Sequence, residues 1–111
     1  MKNIFKLPDV LPKKTEEEIF EAMVQSENVL IERIISTGQT TSKNFWYEQE
    51  KAEWVVLLQG KATLEYEDGR LLELGKGDYV LIPPMQKHRV VYTSQEPPCI
   101  WLAVHFQQKK K

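Results

Sequence analysis

The sequence predicts an all-β barrel or sandwich, preceded by one short N-terminal helix. Two observations carry the prediction. From Asn28 to Phe106, short apolar runs rich in Val, Ile, Leu, Tyr and Trp follow one another closely. Between them stand turn residues: Gly38, Gln59-Gly60, Asp68-Gly69, Gly75-Lys76-Gly77-Asp78 and Pro83-Pro84. Length sets the bound, since 111 residues fit one domain and 41% hydrophobic content is enough for one core.

The first fourteen residues, MKNIFKLPDVLPKK, hold two Leu-Pro pairs and read as an extended arm. Ile4, Phe5, Leu7, Val10 and Leu11 are too apolar for a free tail, so the arm covers either its own barrel or a neighbouring subunit. Thr15-x-x-Glu18 forms a capping box ahead of Ile19, Phe20 and Met23, which predicts a helix over about residues 16–24. From Asn28 the period changes to two. Val29, Ile31 and Ile35 alternate with Leu30, Glu32 and Ile34 until Gly38.

The next strand runs from Glu53 to Leu58. Ala62, Leu64 and Tyr66 then share one face, and Asp68-Gly69 supplies a tight hairpin turn. Arg70–Leu74, Tyr79–Ile82, His88–Thr93 and Ile100–Phe106 complete the set. The expected organisation is an arm and helix over 1–27, a barrel over 28–106 and a disordered tail over 107–111. The terminal run Lys109-Lys110-Lys111 reads as a solvated end.

Charge and cysteine use exclude several functions. A formal net charge of −1 gives no general attraction to nucleic acid or to an acidic membrane. Cys99 is the only cysteine, so no intramolecular disulfide forms, and it reads as a small buried or half-buried thiol. No apolar stretch has the length of a membrane span, and a cytoplasmic location is expected.

The stretch FWYEQEKAEWVVLLQG, Phe45 to Gly60, is apolar at one end and crowded with Tyr47, Gln49 and Glu53 at the other. With GDYVLIPPMQKH, Gly77 to His88, it resembles the paired motifs of the cupin superfamily, double-stranded β-helix (jelly-roll) barrels. Glu53 and Gly60 stand at the spacing of the first motif's glutamate and final glycine, and Gly77, Pro83 and His88 match the second. Met85 replaces the glycine usual between that proline and histidine.

The first motif's histidine pair is absent, its positions falling on Tyr47 and Gln49. The metal set that the resemblance implies is therefore Tyr47, Gln49, Glu53 and His88. Such an oxygen-rich set suits Mn²⁺, Fe²⁺ or Ni²⁺ better than tetrahedral Zn²⁺. A metal-free site stands as the alternative.

Three functional classes follow from the resemblance. One is a metal-dependent dioxygenase, isomerase or decarboxylase, with Glu53 and His88 holding the ion and His105 or Glu50 moving a proton. The second is a non-catalytic module that binds or senses a small molecule. The third is a metal-free acid/base catalyst built on Glu53 and His88. Arg33 and Arg89 are candidate anion contacts, with a strand-surface role as the simpler reading. The expected partners are an unknown small molecule and a second copy in a homodimer, with neither nucleic acid nor membrane.

Overall fold

A computed structural model of the chain describes residues 1–108. Its regular elements are eight strands: β1 (Ile19–Gln25), β2 (Val29–Ser36), β3 (Ala52–Gln59), β4 (Ala62–Tyr66), β5 (Leu71–Leu74), β6 (Tyr79–Ile82), β7 (His88–Thr93) and β8 (Cys99–Phe106). They form a five-stranded sheet in the order β1-β2-β8-β3-β6 and a three-stranded sheet in the order β5-β4-β7. All pairings are antiparallel.

Residues at period two along each strand point to one face, and here that face meets the opposing sheet. Val55, Leu57, Ile82 and Trp101 of the large sheet pack against Ala62, Leu64 and Leu74 of the small one. Leu57 and Ala103 are fully buried.

The predicted helix over residues 16–24 does not form. Ile19–Gln25 is strand β1, paired with β2 from Ile19↔Ile35 to Gln25↔Leu30, with a bulge between Ala22 and Val24. Glu18 of the capping box is used differently: the Ser36 hydroxyl donates to its Oε2 at 2.6 Å. A short isolated helix is marginal, whereas Ile19, Phe20 and Val24 suit a pleated surface and gain a full ladder from β2. Tertiary pairing therefore overrides the local helix signal.

The N-terminal arm lies on its own barrel. Arg33 Nη1 donates to the Ile4 and Lys6 carbonyls at 3.0 and 2.6 Å, and Thr37 Oγ1 donates to the Pro12 carbonyl at 2.8 Å. Among the described residues no helix is long and apolar enough to cross a membrane. The tail expected over 107–111 falls partly, and the Lys109-Lys110-Lys111 run wholly, outside the described residues.

Candidate functional site

At one end of the barrel the inward face turns from aliphatic to polar. Glu53 near the start of β3 stands directly opposite His105 near the end of β8, so both project inward at the same level. On β2, Glu32 and Ile34 occupy the same face, with Ile34 opposite Trp101. The opposing sheet contributes His88, the first residue of β7. A two-way backbone bridge between Tyr47 and His88, at 2.8 and 3.0 Å, brings the Phe45–Gln49 segment across the opening.

Gln49 is fixed from behind, because its carbonyl accepts the Met85 amide at 2.6 Å. Met85 holds φ at 64°, the left-handed region that glycine favours. Met85, at a position where the sequence resemblance expects glycine, thus holds a backbone shape that glycine favours. Together these segments enclose a cavity of about 200 Å³. Its apolar wall includes Val55, Leu64, Ile82, Val90 and Trp101.

Glu53 and His88 are buried, at 9% and 6% exposure. His88 Nδ1 lies 2.9 Å from the Gln86 carbonyl. A carbonyl only accepts, so Nδ1 carries the proton and Nε2 is left for the cavity. That Nε2 is 3.7 Å from Glu53 Oε1, an ionic contact longer than a hydrogen bond. Gln49 Nε2 donates to the same Glu53 oxygen at 3.0 Å.

Burial pushes the Glu53 carboxyl up. The contact with His88, the charge of His105 and the Gln49 amide outweigh it, and the net direction is down. For His88, burial pulls the imidazolium down, but Glu53 and the Gln86 carbonyl carry it above its ordinary value. Both shifts favour an imidazolium–carboxylate pair.

His105 lines the same cavity but holds a different partner, with its Nε2 2.9 Å from Glu32 Oε1. Tyr47 stacks on the His88 ring with centroids 5.9 Å apart. Its phenol is raised by burial first, then by the charges of Glu18 and Glu53.

These residues do not fit a tightly held divalent metal. Catalytic sites of that kind use three protein ligands, whereas here the strong donors stand as two pairs, Glu53 with His88 and Glu32 with His105. Gln49 directs its amide N–H at Glu53 instead of an oxygen at a shared point. Among the described residues no group of three or more His, Cys, Asp or Glu stands at metal-holding separation.

The remaining sequence candidates have other roles. Arg33 pairs with Glu21 at 2.6 Å and holds the arm. Arg89 pairs with Glu65 at 2.7 Å and lies 4.0 Å over the Trp46 ring. Neither lines the cavity, nor does Glu50. Two acids that do line it, Glu18 and Glu32, were not singled out from the sequence. The inward phase of Glu32 is readable from β2 periodicity. Glu18 is not, because the capping box assigned it to a helix end.

A family model described as a cupin domain matches residues 33–105. Among solved structures, the chain is similar to a candidate mannose-6-phosphate isomerase from Ralstonia eutropha JMP134, at 34% identity and a TM-score of 0.86, covering 97% of this chain and 98% of that one. It is also similar to a cupin superfamily protein from Desulfitobacterium hafniense DCB-2, at 17% identity and a TM-score of 0.71, covering 89% and 84%. A protein from Thermus thermophilus follows at 19% identity and a TM-score of 0.70, covering 89% and 92%. The last two likenesses speak to the fold alone. No curated protein matches the chain.

Proposed function

The chain belongs to the cupin family, and from that premise we propose that its barrel cavity binds a small organic molecule and moves a proton on it without a metal. The observation that carries this reading is the buried Glu53–His88 pair inside an otherwise apolar wall. The Gln86 carbonyl fixes the tautomer of His88, and Glu53 favours the imidazolium that forms when Nε2 takes up a proton. A base whose imidazolium is favoured in this way is a stronger base and is suited to work near neutral pH.

The chemistry that fits is proton transfer next to a carbonyl. His88 Nε2 accepts the proton as the C–H bond breaks, and the electron pair passes through carbon to the carbonyl oxygen. On His88 that proton exchanges with solvent; a proton then returns to the same carbon as the electron pair moves back from the carbonyl oxygen, so no electrons leave the substrate. Neutral His88 is the active base, and activity should therefore rise with pH through its raised value.

A phosphorylated sugar, as the name of the Ralstonia protein suggests, is a poor match to this cavity, since neither Lys nor Arg lines it. The test is deuterium wash-in from heavy water for a panel of small aldoses, ketoses and keto acids, with and without chelator. Wash-in that survives chelator and is lost in His88→Ala and Glu53→Ala supports the reading. Wash-in abolished by chelator and restored by Mn²⁺ would hand the site to metal catalysis. Binding without any wash-in would make it a binding module.

A further inference from the structure

We infer that the cavity takes a small primary ammonium compound and that Glu18, with Glu32 and Glu53, selects it. This rests on the proposed function and names the substrate class of the same site.

Three carboxyl groups and two imidazoles line the cavity, with no Lys or Arg among them. The formal charge of the lining is −3 with both rings neutral and −1 with both protonated. Against a largely apolar wall that charge is only partly screened and favours a cation over a neutral or anionic guest. A cation would also neutralise the carboxylates, which are otherwise costly to desolvate.

Geometry makes the preference specific. Each acid engages one oxygen with the protein: Glu18 Oε2 with Ser36, Glu32 Oε1 with His105, and Glu53 Oε1 with Gln49 and His88. Among the described residues no protein donor takes the second oxygen of any of the three, yet no buried side-chain oxygen is unsatisfied. Those second oxygens are therefore reachable by solvent, on three residues that line the cavity. Each is an acceptor available to an N–H donor of an ammonium group. The aromatic rings of Phe20, Tyr47 and Trp101 in the wall add faces that suit its alkyl part and its charge.

Glu18 is a built part of this wall. The buried Trp101 Nε1–H donates to Ser36 Oγ at 3.0 Å, and the Ser36 hydroxyl donates onward to Glu18 Oε2 at 2.6 Å. That relay fixes which Glu18 oxygen is engaged. Glu18 also lies ahead of the family-matched segment, 33–105, so this acid comes from outside the shared motif. It also lines an outer recess with Lys14, Glu16 and Glu17, where the acids outnumber the one lysine.

The chain has two histidines, and both line the cavity, so spectra of histidine-labelled protein report on this site alone. The probes are butylamine, 1-butanol, butyrate and D-mannose, titrated at pH 8. Butylammonium should bind at least about tenfold more tightly than 1-butanol, with butyrate silent, as expected for a charge-assisted contact. Glu18→Gln and Glu32→Gln should each weaken butylammonium about tenfold, with amide spectra showing the fold retained.

Equal binding of 1-butanol or butyrate overturns the inference, and so does undiminished butylammonium binding in both variants. Mannose that shifts both histidines while butylammonium does not would remove the ammonium class and leave the proposed function standing. If no probe shifts either histidine, both readings fall.

Discussion

The two ends of the barrel are built on the same strands and differ in what they admit. At the closed end, Leu57 of β3 is fully buried and packs with Leu74, Ala62 and Trp101 around apolar contacts. At the open end, four residues back along β3, Glu53 is nearly as buried but sits among His88, Gln49 and His105. Both ends are held together, by different means. The closed end is held by area removed from water, and the open end by polar groups that each find a partner. Stability and chemistry are thereby separated along the length of one strand.

The largest expected effect belongs to the closed end. Leu57→Ala removes a fully buried side chain with no room to collapse, and should cost about 2–5 kcal/mol in urea denaturation. A loss below that of Glu53→Gln would erase the division between the two ends.

Next comes the acid–imidazole pair. Glu53→Gln should cost roughly 1–2 kcal/mol, and the loss should depend on pH. His88 is raised, so its contribution is complete below the ordinary value of 6.5 and is lost as pH rises through its folded value. Glu53 is lowered, so its contribution is complete above the ordinary value of 4.5 and is lost as pH falls through its folded value. The pair should therefore stabilise most between 4.5 and 6.5. Glu18 runs the other way: burial raises it, so its contribution is greatest at low pH and declines as pH rises. Unfolding midpoints measured across this range, in parent and variant, should converge outside the window; parallel curves would show that the pair is inert.

A smaller effect sharpens the chemistry of the open end. Gln49→His adds an imidazole beside Glu53 and His88, and should tighten Mn²⁺ binding by about tenfold or more over a parent whose site is weaker than about millimolar. Equal titrations would mean that the added imidazole, the third ligand, does not reach the shared point. The smallest change is Met85→Gly, which relieves a positive φ but frees the unfolded chain. A net stabilisation under about 1 kcal/mol is expected from the urea midpoint, with Gln49 still held by the backbone bond.

The sequence by itself determined the barrel, because strand periodicity and turn glycines are local properties. Glu53–Leu58 and Tyr79–Ile82 were readable from a few neighbouring residues, and the observed strands begin and end within one residue of them. It also determined that Glu53 and His88 belong to paired motifs. What it could not supply was anything fixed by contacts between distant strands. Residues 16–24 carried a true helix-start pattern, and only the ladder to β2 made Ile19–Gln25 a strand. Glu32 and His105 are 73 positions apart and became partners through the β2–β8 register. Glu18 entered the cavity because Ser36 and Trp101 wait there for it. Local propensity is written in a few consecutive residues, whereas the charge of a cavity is a sum over strands that meet only after folding.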